Sequence, residues 1–192
     1  MEGFYFLRLT MQLIKEDIVF QGKLIEIVQQ IVKVGDKELL REIARRSPGV
    51  RLIITDGDKI LLTKEFRKEL NGFDYRLPGG KVFDTLVEYN KHRENIESYC
   101  LVAAKRECEE ETGLTPQDMS LYHISKVGAT IERDLYYYVI TTYTAHEQGQ
   151  QLELGEHISV EWKAREEVMA IIKQGAMQED RSVGVLMRYL TQ

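Results

Sequence analysis

Apolar and polar side chains alternate in short runs between residues 18 and 46: Ile18-Val19-Phe20, then 24–28, 31–34, a Gly35-Asp36 turn, and 39–43. This period of two predicts a small antiparallel meander. Ser47-Pro48-Gly49 breaks the pattern, and beyond it residues 50–55 and 59–67 flank an Asp56-Gly57-Asp58 turn, the pattern of a hairpin. A loop over 68–75 leads to Arg76-Leu77-Pro78-Gly79-Gly80. The period then changes. Leu101, Ala104 and Cys108 recur at helical spacing until Gly113 and Pro116 stop the helix. Strands are predicted over 121–127 and 135–143, joined by a hairpin connection over 128–134, and over 158–162 after a polar loop. Two helices follow, one over 165–174 ahead of Gly175, the other capped by Asp180 and running through Tyr189. This order fits an α/β (α+β) class, a mixed sheet with helices on both faces over residues 47–192, preceded by the meander over residues 1–46.

Composition narrows the class. A chain of 192 residues with 43% hydrophobic content supports one core and a small appendage. The formal net charge of -5 argues against nucleic acid as a partner, since phosphate backbones select basic surfaces. Cys100 and Cys108 form no Cys-x-x-Cys pair and are expected to be reduced core thiols. The apolar run over 4–14 is preceded by Glu2, interrupted by Arg8 and lacks a small-residue cleavage site, so a leader is not expected. No window reaches the length of a membrane span, and a cytoplasmic location is the expectation. A three-stranded meander is marginal alone. It packs either on the chain's own core or on a second copy, the latter giving a symmetric homodimer.

The chemistry is concentrated in Glu107, Glu109, Glu110 and Glu111, which fall in the last turns of the predicted helix. A helix C-terminus carries partial negative charge, and Glu107 and Glu111 face each other at i,i+4, so this arrangement is unfavourable by itself. Two readings remain open: a solvated acidic face, or carboxylates whose repulsion a divalent cation relieves. Glu107, Glu110 and Glu111 share one helical face, and hard oxygen donors suit Mg²⁺ or Mn²⁺.

The order Arg106-Glu107-x-x-Glu110-Glu111-x-Gly113, with Cys108 and Leu114 at the apolar positions and a Gly-Gly turn upstream, resembles the Nudix hydrolase box. The resemblance implies a Nudix-type α/β/α sandwich. It also implies metal bound by Glu107, Glu110 and Glu111 with the Gly80 carbonyl, and Arg106 as structural partner of a box acid. Gly80 and Arg106 enclose 25 residues, more than the family's spacing, which places an insertion within residues 81–99. The box glutamate of the family falls at Ser98, one place after Glu97. The insertion is expected to be a surface excursion, either a lid or a passive elaboration.

The meander, Phe66-Arg67 at the hairpin's end, Leu77-Pro78-Gly79-Gly80, and Gly175 followed by Asp180-x-Ser182 together resemble the ADP-ribose pyrophosphatase branch. Thr130 stands where many members carry a proline. By this resemblance the substrate is a small-molecule nucleoside diphosphate, ADP-ribose or a related nucleotide sugar, with no membrane or nucleic-acid partner. Arg67, Gly79 and Gly80 would meet the substrate, and Glu156, with Glu153 as second choice, would be the catalytic loop acid. Phe20 or Tyr136 to Tyr138 would stack on the base, although aromatics at strand spacing are commonly core. NADH, GDP-sugars and dinucleoside polyphosphates are the alternative substrates, and a nucleotide-binding or regulatory protein without turnover is the alternative function.

Overall fold

The computed structural model describes residues 11–152 and 154–192. It begins with three antiparallel strands, β1 (Met11–Gln21), β2 (Glu26–Val34) and β3 (Lys37–Arg45), the meander expected from the alternation. β1 starts at Met11 rather than Ile18, because Met11 to Leu13 pair with Val34 to Val32. The rest of the apolar run from Phe4 lies outside the described residues.

β4 (Gly49–Asp56) and β5 (Lys59–Arg67) pair only at Thr55–Ile60 and Asp56–Lys59 and then separate. The carbonyls of Pro78 and Gly80 take the N–H groups of Leu52 and Val50 at 2.8 and 2.9 Å, occupying the edge that a full hairpin would have used. The predicted loop over 68–75 contains a further strand, β6 (Gly72–Arg76), which turns back at Asn71 (φ 47°) to pair with β5. Next come α1 (Leu86–His92), a 3-10 turn (Arg93–Asn95) and α2 (Ile96–Thr112). They are followed by β7 (Leu114–Pro116), β8 (Ser120–Ser125), β9 (Ile131–Glu132), β10 (Leu135–Ile140), β11 (Tyr143–Ala145) and β12 (Ile158–Ala164). The chain ends in α3 (Arg165–Lys173) and α4 (Asp180–Leu190). Asp180 is the first helical residue of α4, not its cap; Glu179 stands at the cap.

Period-two alternation in β4 and β10 builds the layers. Val50, Leu52 and Ile54 join Tyr136, Tyr138 and Ile140 beneath Cys100, Ala103, Ala104 and Cys108 of α2. On the other face Ile53, Leu135 and Tyr137 meet Val168 and Ile171 of α3 and Val185 and Leu186 of α4. Between these layers lies the mixed sheet β12-β5-β4-β10-β8, with β4 and β10 parallel. This is the α/β/α sandwich with an N-terminal meander expected above. Both cysteines are buried and free. Among the described residues no helix is long and apolar enough to cross a membrane.

The meander joins this body through β9, a two-residue strand parallel to β3 inside the predicted 128–134 connection. Arg45, 1% exposed, fixes the junction with hydrogen bonds to Glu16, Glu26 and Glu132 at 2.9–3.1 Å. The insertion clamps onto the same place. Thr85 caps α1, Leu86 and Tyr89 are buried, Asn90 donates to Glu26 at 3.0 Å, and Arg93 pairs with Glu132 at 3.3 Å. It therefore braces the meander against the body. The outer strand β1 keeps Leu13, Ile18 and Phe20 about half exposed.

Removing one member of a buried ion network leaves the others uncompensated. Arg45→Met is expected to destabilise the fold by about 3 kcal/mol or more, measured as a lowered urea midpoint, with part recovered in Arg45→Met/Glu26→Leu.

Candidate active site

Because Cys100, Ala103, Ala104 and Cys108 bury one side of α2, its final turns cannot rotate, and Gly113 (φ 68°) ends the helix just beyond the acids. Glu107, Glu110 and Glu111 thus share one cleft of about 360 Å³ with Gly79, Gly80, Arg67 and Glu156. A hollow of about 600 Å³ over Leu101, Val102 and Met119 is larger, but it lacks this convergence of carboxylates and arginines.

The Gly-Gly strap is shaped by what presses on it. Gly79 has φ 138°, and a Cβ there would lie 2.3 Å from the Val50 carbonyl oxygen. Its N–H donates to Glu111 Oε2 at 2.7 Å. At Gly80 a Cβ would lie 2.4 Å from Glu107 Oε1, so only a bare backbone admits that carboxylate. The Gly80 carbonyl accepts the Val50 N–H.

Electrostatically the acids are crowded. Burial pushes the Glu111 carboxyl up to about 8, the Gly79 N–H opposes this, and the charges of Glu107 and Glu156 add to it. Burial raises Glu107 as well, against its hydrogen bond from Arg106 at 2.8 Å. Arg106 also reaches Glu110 at 3.6 Å and the Lys81 carbonyl at 3.1 Å.

Among the described residues no three His, Cys, Asp or Glu side chains form a ready-made metal cage. The donor set nevertheless fits a hard divalent cation: clustered carboxylates, beside a backbone pared to glycine where Glu107 approaches. Glu107, Glu110 and Glu111 would hold it.

The other expected residues divide. Arg67 lines the cleft with its guanidinium held by Glu65 and Glu69. Glu156 lies in the loop before β12 and lines the cleft, whereas Glu153 falls outside the described residues. Phe20 sits on exposed β1 and does not line this cleft. Tyr136, Tyr137 and Tyr138 are buried core, with the Tyr137 hydroxyl 3.2 Å from Ser182 Oγ.

Sequence reading missed Arg51 and Glu179. Arg51 is 5% exposed and forms a fork with Glu179 at 2.7 and 2.8 Å; Arg76 adds a third bond at 3.3 Å. Despite burial, Arg51, Ser182 and Arg76 hold the Glu179 carboxyl down at about 2. The available signal was a charged residue inside the apolar run Val50-Arg51-Leu52-Ile53-Ile54.

Two tests follow. Gly79→Ala is expected to cost about 2 kcal/mol or more through strain at positive φ and contact with Val50, read as a lowered melting temperature. Gly80→Ala is expected to keep the fold but weaken Mn²⁺ binding, followed by calorimetry, about tenfold or more through displacement of Glu107. Because the folded pKa of Glu179 lies below its unfolded value, its stabilisation is present above the unfolded pKa and is lost as pH falls toward 2. The stability gap between wild type and Glu179→Gln is therefore expected to be roughly 3 kcal/mol at neutral pH and to close on acidification from pH 5.

Comparison with known proteins bears on the family and the fold. The NUDIX domain model matches residues 45–183. The chain is 31% identical over 109 residues to the ADP-ribose pyrophosphatase of Bacillus subtilis (strain 168), covering 56% of this chain and 52% of that protein, so it spans about half that relative's length. It is 25% identical over 180 residues to the methanol dehydrogenase activator of Bacillus methanolicus, covering 92% of this chain and 90% of that one. The crystal structure of an ADP compounds hydrolase superposes with a TM-score of 0.67 over 95% of both chains at 14% identity, a likeness of fold. With the family model covering most of the chain and the box acids seated against the Gly-Gly strap, the chain belongs to the NUDIX family.

Proposed function

We propose that the chain is a divalent-cation-dependent pyrophosphohydrolase acting on ADP-ribose or a related nucleotide sugar. The observation that carries this reading is the meeting of Glu107, Glu110, Glu111 and Glu156 with Arg67 and the Gly79-Gly80 strap in one cleft. When bound, Mg²⁺ or Mn²⁺ supplies charge neutralisation at the pyrophosphate and activation of water. Arg67 offers a planar, permanently charged fork to a phosphate, exchanging it for its present hold on Glu65 and Glu69. Glu156 orients the attacking water and accepts its proton. Arg106 keeps Glu107 turned toward Gly80. The products would be a nucleoside monophosphate and a phosphorylated partner.

The same reading treats residues 1–46 as a dimerisation element, supported by the half-exposed Leu13, Ile18 and Phe20 of β1. A second reading, a nucleotide-binding regulator without turnover, draws on the relative that covers 92% of the chain and bears the name of an activator.

The test is phosphate release, coupled to a phosphatase, from ADP-ribose, other nucleotide sugars, NADH and diadenosine polyphosphates with Mg²⁺ or Mn²⁺. Turnover of ADP-ribose or a nucleotide sugar is expected, abolished by chelation and reduced about 100-fold or more in Glu111→Gln, the scale of removing one electrostatic group from a catalytic site. A folded, cation-supplied protein silent across the panel would reject hydrolysis in favour of the regulator.

A further inference from the structure

Five arginines line the cleft beside five glutamates, and the arginines differ in how fully they are engaged. Arg51 and Arg76 share Glu179, Arg67 is held by Glu65 and Glu69, and Arg106 by Glu107. Arg133 lines the same cleft, yet its Nε is buried with no hydrogen-bond partner among the described residues. Such an orphaned donor is uncommon, and leaving part of a guanidinium dry and unpaired is costly.

Nor is this a loosely placed side chain. Three consecutive carbonyls fix its backbone: Glu132 accepts the Arg46 N–H at 2.9 Å, Arg133 accepts from Arg181 Nη1 at 2.9 Å, and Asp134 accepts the Gly49 N–H at 3.0 Å. The first of these bonds belongs to the parallel pairing of β9 with β3. The side chain thus leaves a fixed platform and enters a field of like charge. Burial, together with Arg46, Arg51 and Arg181, pulls the Arg133 guanidinium down to about 10. Glu179 opposes this, but its oxygens are already engaged by Arg51, Arg76 and Ser182. What the location lacks is an anion with several acceptor oxygens.

We infer that Arg133 binds a phosphate oxygen of the nucleoside diphosphate substrate, its guanidinium turning the buried, unpaired Nε–H toward the cleft that also holds the box carboxylates. The inference rests on the pyrophosphohydrolase reading for the identity of the ligand. A phosphate satisfies the orphaned donor, offsets the repulsion from Arg46, Arg51 and Arg181 and accepts a planar fork in more than one direction. Arg133 would thereby add a second guanidinium to the phosphate-binding role proposed for Arg67. It lies outside the box and outside every motif read from the sequence.

The test compares wild type, Arg133→Met and Arg133→Lys in two assays: Mg²⁺-dependent hydrolysis of ADP-ribose, and calorimetric titration of ADP into protein held in EDTA. Expected for Arg133→Met is a weakening of ADP affinity of about tenfold or more, with a matching rise in KM, the scale of one charged hydrogen bond. Arg133→Lys should recover part of the affinity. In ¹⁵N-labelled wild type, ADP should shift the Arg133 Nε–H resonance and slow its exchange with water, a readout that holds even where Arg133→Met folds poorly. A wild type that hydrolyses ADP-ribose while the Arg133→Met KM and the Arg133 resonance stay unmoved overturns the inference and leaves the pyrophosphohydrolase reading intact. Conversely, ADP binding that depends on Arg133 in a protein without turnover upholds the inference and removes that reading. A wild type that does not bind ADP overturns the inference.

Discussion

The close approach of two carboxylates to a backbone without side chains is the constraint on which the rest of this structure depends. Glu107 presses onto Gly80, where a Cβ would meet its carboxylate, and Glu111 accepts the N–H of Gly79, where a Cβ would meet the Val50 backbone. For the contact to exist, α2 must be locked in rotation, which the buried face of Cys100, Ala103, Ala104 and Cys108 achieves. The strap must also stay at a fixed height, which the N–H groups of Val50 and Leu52 ensure. The sandwich is in this sense a device for holding like charges near one another in a poorly hydrated place, a strain the core's burial energy sustains.

The cleft is not simply acidic. Its arginines are held in graded states of engagement, from the fork of Arg51 on Glu179, through the rim pairs of Arg67, to the unsatisfied Nε of Arg133. Buried, fully engaged groups shape the cavity, whereas less engaged ones are free to exchange partners. The ordering follows from desolvation. An ion pair removed from water is hard to break, since each partner would be left uncompensated.

Local signals carried most of the fold. Alternation located β1 to β5 and the major later strands, and helical spacing with Gly113 located α2. The box acids and the strap were legible for the same reason, since each is set by a short spacing along the chain. What escaped depends on contacts between distant segments. β9 has two residues and no pattern of its own; it exists because β3 lies beside it. Arg133 acquires its position through that pairing, and Glu179 acquires its role from Arg51, 128 residues away. The insertion looked like an excursion because its polar residues match solvent as well as they match Glu26 and Glu132 across the junction.

The way the strap and α2 are anchored also bears on chain length. Because each is tethered independently, one to β4 and the other to the core, the segment between them has only to close a loop whose ends are already placed. Closure entropy rises with the logarithm of length, so even doubling such a segment costs only about 0.6 kcal/mol. The spacing between glycine and arginine within the box is therefore a soft variable. This junction is a place where the molecule can accept new sequence, and gain new contacts, without disturbing the chemistry on either side.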